Sequence, residues 1–204
     1  GPLGCGVQTG AGAVMNVMRP AAGTSLAIFG GGGVGLSALM AASLAGCAPI
    51  IVIEPNAARR ELALELGAAH VIDPAASPDI VDTLRSLSHG GVHFAFDTCG
   101  IPAVIGQAIE SLRTRGKMVL ATTNEMEAVL STSLIGVIAR GISICGVHMG
   151  DSVPQSFIPS LVDLIVEGRM PVERLVKYYP LEDVNQALED QEHGRVIKPI
   201  LRIA

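Results

Sequence analysis

Two rhythms alternate along most of this chain. Short β-branched runs, such as "SLAIF" at 25–29 and "IIVI" at 50–53, are each followed by a longer stretch with helical spacing of its apolar residues. The pattern predicts strands over 25–29, 50–53, 70–72, 92–96, 117–121 and 142–147. Helices are predicted between and after them over 34–45, 56–66, 78–87, 101–114 and 131–140, with Asn56 as an N-cap. Strands alternating with helices in this way call for a doubly wound α/β domain: six parallel strands with helices on both faces. Two segments fall outside the rhythm. One is a helix over 6–18, stopped by Pro20. The other is a tail after Asp151, with helices near 160–167 and 181–192 and strands near 175–178 and 196–203. The chain therefore divides into a leading helix (1–20), the α/β domain (21–150) and a completing tail (151–204).

Composition narrows the picture. The 204 residues are 49% hydrophobic but only 3% aromatic, with no Trp. The core must be built from Val, Ile, Leu and Ala, which suits strands buried on both faces. Net charge is -5 and Lys and Arg do not cluster, which argues against a nucleic-acid partner. No apolar run approaches the roughly 20 residues of a membrane span. The opening Gly-Pro-Leu-Gly lacks the basic segment of a secretory leader. The four cysteines, Cys5, Cys47, Cys99 and Cys145, form no CxxC pair and read as reduced thiols of a cytoplasmic protein.

The first strand runs into "GGGGVG". Gly30, Gly32 and Gly35 make a G-x-G-x-x-G between a strand and a helix. There the first glycine permits a tight turn, the second lets the backbone approach a pyrophosphate, and the third lets the helix pack close to the strand. The anion then lies at the helix N-terminus, among unpaired N–H groups. Taken alone the spacing is a weak signal, since a glycine-rich loop without a ligand can share it. Glu54 adds to it. It ends the second predicted strand, 19 residues after Gly35, where an acid grips the two hydroxyls of a ribose in a Rossmann domain. A carboxylate about 4 Å from the extra phosphate of NADP costs on the order of 4 kcal/mol at an effective dielectric near 20. That is roughly a thousandfold in affinity, so Glu54 points to NAD.

Several segments resemble the zinc-dependent medium-chain alcohol dehydrogenases. The most specific is "GCGVQTGAGAV" at 4–14, standing ahead of "GGGGVG"; "IIVIEPN", "ELGAAHVIDP", "GGVHFAFDTCG" and "HGRVIKPILR" agree with it. The flavour is closest to the aryl-alcohol, or benzyl alcohol, branch. The resemblance makes Cys5 a ligand of the catalytic zinc. It places Thr9 on the nicotinamide side and Gly32, Gly33 and Val34 along the pyrophosphate and nicotinamide. It puts Glu54 and Arg59 on the adenosine ribose, and Thr98 and Cys99 beside the adenine or ribose. Ala121, Thr123, Val147 and His148 fall near the carboxamide, and Lys198 reaches the pyrophosphate from the tail.

The resemblance also implies what lies elsewhere. The other zinc ligands, the proton relay and most of the alcohol pocket belong to a substrate domain with no counterpart in these residues. The expectation is the NAD-binding half of an enzyme that oxidises a primary, aryl-type alcohol to an aldehyde, inactive by itself, with a tail returning toward the other domain. Two rivals stand beside it. A zinc-free, NADPH-dependent quinone reductase should lack both Cys5 and Glu54, and an NADH-sensing module should carry an added segment. The family resemblance further implies a homodimer through the strand at 142–147. That strand, "ISICGV", carries none of the charges or prolines that guard an exposed edge.

Overall fold

A computed structural model describes residues 1–203. Six parallel strands form one sheet in the order β3-β2-β1-β4-β5-β6. They are β1 (Leu26–Phe29), β2 (Ile50–Ile53), β3 (His70–Ile72), β4 (Val92–Asp97), β5 (Leu112–Leu120) and β6 (Ser143–Gly146). The order reverses direction between β1 and β4, which opens a crevice at their carboxyl ends.

The alternation within each strand decides which face a residue serves. Leu26 and Ile28 of β1, Ile50 and Val52 of β2, and Phe96 of β4 point into one core. Ala27 and Phe29, Ile51 and Ile53, and Ala95 point into the other. Every position of β1 and β2 is therefore apolar and buried, because both faces of the central strands are covered. The first core is closed by α1 (Gly6–Gly12) and α2 (Gly33–Leu44). The second is closed by α4 (Ile80–Leu87) and α5 (Pro102–Glu110). The remaining layer helices are α3 (Ala57–Glu65) and α6 (Leu134–Arg140), and the tail contributes α7 (Pro154–Val166) and α8 (Val184–Glu192). A smaller two-stranded parallel sheet, β7 (Val176–Pro180) with β8 (Lys198–Arg202), holds its own cluster of Tyr179, Ala187 and Val196.

The predicted elements are all found, with shifted ends. The helix expected over 101–114 stops at Glu110. Ser111 turns out of it because its carbonyl accepts the Val92 N–H at 3.0 Å, drawing the chain into β5 at Leu112, ahead of the expected start at 117. The register between β4 and β5 then slips, with Val92 opposite Leu112 and Phe94 opposite Lys117, and Arg115 in the slip has φ +65°. The helix expected over 6–18 is α-helical only to Gly12 and continues as wider turns over Ala13–Met18, where the Arg19 N–H reaches back to the Val14 carbonyl. Lys117 Nζ caps that end on the Val17 carbonyl at 3.1 Å. The helix expected near 160–167 starts earlier, at Pro154, a residue pre-set for a first helical position. Asp79 and Ser133 cap α4 and α6, one and two residues inside the expected starts.

Candidate dinucleotide-binding site

The glycine run divides its labour in three. Gly30 turns the chain at φ +103°, and a Cβ there would overlap Thr98 Oγ1 and lie 3.1 Å from Cys99 Sγ. Gly32 stands in extended backbone at the N-cap of α2, where a Cβ would meet nothing within 4 Å. Its face is open to an occupant of the crevice. At Gly35 a Cβ would overlap the Gly30 carbonyl oxygen and come within 3.2 Å of Ile28 Cγ2, so glycine alone lets α2 lie this close on β1. No side chain caps α2, and its leading N–H groups, those of Gly33, Val34 and Gly35, have no intrahelical acceptor.

Glu54 closes the loop from the β2 side. It is 3% exposed, not a solvated strand end. Its Oε2 accepts the Gly31 N–H at 2.6 Å and its Oε1 the Asn56 N–H at 2.9 Å. Arg59 Nη1 stands 4.0 Å from Oε2. Asn56 is the N-cap of α3, accepting the Arg59 N–H at 3.1 Å, and its amide donates to the Gly194 carbonyl in the tail at 3.3 Å. Arg59 Nε is buried with no hydrogen-bond partner among the described residues. That orphaned donor lies beside the acid expected to hold a ribose.

The other strand ends complete the crevice. Thr98 Oγ1 donates to the Phe29 carbonyl at 2.9 Å, joining β4 to the start of the loop. Burial, with the nearby charges of Asp97 and Glu54, pushes the Cys99 thiol up to about 12. The Ala121 N–H reaches the Asp97 carbonyl at 3.1 Å and the Val147 N–H the Leu120 carbonyl at 2.9 Å, so the ends of β4, β5 and β6 are in step. Thr123 turns its hydroxyl along its own loop to the Glu125 carbonyl at 2.7 Å. His148 is exposed, and its N–H donates to Asp151 Oδ1 at 3.1 Å. Thr9 is buried one turn past Cys5.

Cys5, Gly33, Val34 and Lys198 share one cleft of about 290 Å³, with Val7 and Ile197 on its apolar wall. A second recess, of about 220 Å³, carries Arg59, Arg174, Lys177 and Arg195 and shares Leu175 and Ile197 with the first. Arg195 is held there by Asp190 at 2.8 Å. Asp190 also accepts from Tyr179 Oη at 2.6 Å, and that bond, with those from Gln186, Arg195 and Lys177, holds its carboxyl far below the usual range.

Sequence reasoning missed Asp97, Leu175 and Ile197. Asp97 could have been found in "FAFDTCG", where an acid ends an apolar strand and is followed by a turn. It is fully buried and accepts N–H bonds from Gly100 at 2.8 Å and Cys99 at 3.2 Å. Leu175 carried no signal, because its contact with the cleft depends on how the tail folds back.

The metal expectation meets a partial fit. Cys5 is exposed in the cleft, but no three His, Cys, Asp or Glu side chains among the described residues come together as a metal site. Catalytic zinc takes three protein donors, and among the described residues Cys5 stands without the companions such a site needs.

A family model described as zinc-binding dehydrogenase matches residues 33–167. The geraniol dehydrogenase of Castellaniella defragrans is 44% identical over 201 residues, covering 98% of this chain and 54% of that enzyme. Among solved structures, an alcohol dehydrogenase zinc-binding domain protein from Burkholderia ambifaria superposes with a TM-score of 0.96 at 46% identity, covering all of this chain and 55% of that one. The benzyl alcohol dehydrogenase of Acinetobacter calcoaceticus superposes with 0.97 at 38% identity, covering all of this chain and 56% of that one. The chain spans about half the length of the relatives it matches. With its six-stranded doubly wound sheet and divided glycine loop, it belongs to the zinc-binding dehydrogenase family, among the medium-chain alcohol dehydrogenases.

Proposed function

We propose that this chain is the NAD(H)-binding half of a zinc-dependent alcohol dehydrogenase that oxidises a primary, aryl-type alcohol to its aldehyde. The observation that carries the cofactor is Glu54: a buried carboxylate clasping the Gly31 N–H beside an open Gly32. A ribose hydroxyl pair can share that carboxylate, whereas a 2′-phosphate would meet its charge. The N-terminal turn of α2 faces the pyrophosphate, and Lys198, in the same cleft, supplies a countercharge. Thr98 and Cys99 flank the adenine side, and the loops after β5 and β6, with Ala121, Thr123, Val147 and His148, orient the carboxamide. Bound NAD supplies the hydride acceptor; the residues named here bind and orient it.

Cys5 is one donor toward zinc and stands in the same cleft as the phosphate loop. Its remaining ligands are expected from outside this chain, and the chain alone is expected to turn over no alcohol. The aryl preference draws on the benzyl alcohol dehydrogenase likeness. Reduced thiols throughout suit the cytoplasm. The reading includes a homodimer through the free edge of β6, supported by Leu134, Ile135 and Ile138 of α6, each over 70% exposed.

Fluorescence titration of the chain with NADH and NADPH at one ionic strength tests the reading. NADH is expected to bind at least about tenfold more tightly, with Glu54→Gln narrowing the gap. Equal or tighter NADPH binding would remove Glu54 from the ribose and favour a zinc-free reductase.

A further inference from the structure

We propose that Gly10 is a positioning residue of the dinucleotide site, setting the direction of the N–H groups at the head of α2. This rests on the dinucleotide-binding reading above. Gly10 lies on α1, not in the glycine loop. A Cβ there would overlap the Val34 carbonyl oxygen and stand 2.9 Å from both the Ala38 nitrogen and Ser37 Cβ. Val34 C=O and Ala38 N–H are hydrogen-bond partners at the start of the helix. A methyl group at Gly10 must therefore open the first turn of α2 or drive α1 away from it.

Helix α1 has nowhere to go. On its other side a Cβ at Gly12 would lie 2.6 Å from Gly150 Cα, so α1 is pressed against the turn after β6 as well. Asn16 Nδ2 donates to the Gly150 carbonyl at 2.9 Å and Ser152 Oγ to Gln8 Oε1 at 3.2 Å. Val7 and Ala11 anchor the same helix in the first core. The strain falls on the softer partner. The head of α2 is uncapped and built from Gly32, Gly33 and Gly35. It is also where the anion must be held, so the phosphate-binding geometry gives way before the fold does. Because α1 begins beside Cys5, the same contact fixes how far that thiol stands from the loop.

The test compares three ligands, NADH, ADP and adenosine, on the wild-type chain and on Gly10→Ala. NADH and ADP are expected to weaken together by about tenfold or more, the equivalent of one charge-assisted hydrogen bond to phosphate. Adenosine, which has no phosphate, is expected to stay within about twofold, with far-UV circular dichroism unchanged. Ser37→Thr presses on the same seam from the α2 side and keeps the hydroxyl that donates to Gly33; it should give the same pattern more weakly, and decides the matter if Gly10→Ala does not fold. Unchanged NADH and ADP binding in the folded variants, or equal loss of all three ligands, would overturn the role of Gly10. A wild-type chain that binds neither NADH nor ADP would instead overturn the underlying reading.

Discussion

Asp97 offers a sharp test of how the crevice is held. It is fully buried at the end of β4 and accepts the N–H groups of Cys99 and Gly100. Two effects compete there. Burial raises its pKa by disfavouring the charge, and the two backbone bonds lower it; burial is the larger. The ionised carboxylate is thus costlier in the folded chain than in the unfolded one, although its acceptor atoms are needed. Asp97→Ala leaves two backbone donors unpaired, at about 1–3 kcal/mol each, so a loss of roughly 2–6 kcal/mol is expected. Asp97→Asn keeps one acceptor and removes the buried charge, so it should cost about 1 kcal/mol at neutral pH. For a chain of this length a kcal/mol corresponds to roughly 2–4 °C in Tm. Alanine should therefore lower Tm by about 5 °C or more, and asparagine by a few degrees. Urea unfolding followed by circular dichroism gives both values. The sign of the pH effect is fixed as well. A raised folded pKa contributes stability that is full below the unfolded value of about 3.9 and is lost as pH rises through the folded pKa. Asparagine should remove that part of the profile. Equal destabilisation by alanine and asparagine would refute the account.

Other expectations follow from single contacts. Arg113 Nη1 donates to His93 Nε2 at 2.8 Å, which leaves Nδ1 protonated to donate to Ser25 Oγ at 2.8 Å, and burial, then Arg113, lowers the His93 pKa. Its contribution is full above the unfolded value of about 6.5 and is lost as pH falls toward the lowered folded pKa, so His93→Gln should flatten the stability slope just below that pH. Gly35→Ala should cost about 1–3 kcal/mol by overpacking and abolish NADH binding, because α2 must leave β1; NADH titration beside a urea melt checks both. A thiol reagent should label exposed Cys5 first and Cys99, with its thiol pushed up to about 12, last, as mass spectrometry after timed quenching would show. Ile144→Pro on the edge strand should yield monomers by sedimentation if β6 is the dimer seam.

The strands were legible because their residues answer to two cores at once. "LAIF" and "IIVI" need every position apolar, because their alternate residues enter the two cores in turn. Gly30 and Gly35 were legible for a related reason: each is needed by backbone geometry that reads through spacing alone. Asn56 was legible as a cap because its bond is local, three residues long. What the sequence hid depends on distant partners. The end of α5 is set by Val92, nineteen residues before Ser111 in the chain. The burial of Glu54 follows from a bond to Gly31, and the place of Lys198 beside Cys5 from a tail that returns after nearly two hundred residues. The role of Gly10 is hidden most deeply, because a helical glycine in a sequence looks only like a weak helix former.

The small β7–α8–β8 unit has its own cluster of Tyr179, Ala187 and Val196, apart from the two cores of the main sheet. A unit with a separate core can open without the rest of the chain. Yet Lys198, its first strand residue on return, borders the phosphate loop, and Gly194 before it is tied to Asn56. An occupant of the crevice would therefore slow amide exchange along β7 and β8 by mass action, turning the tail into a reporter of a ligand it scarcely touches.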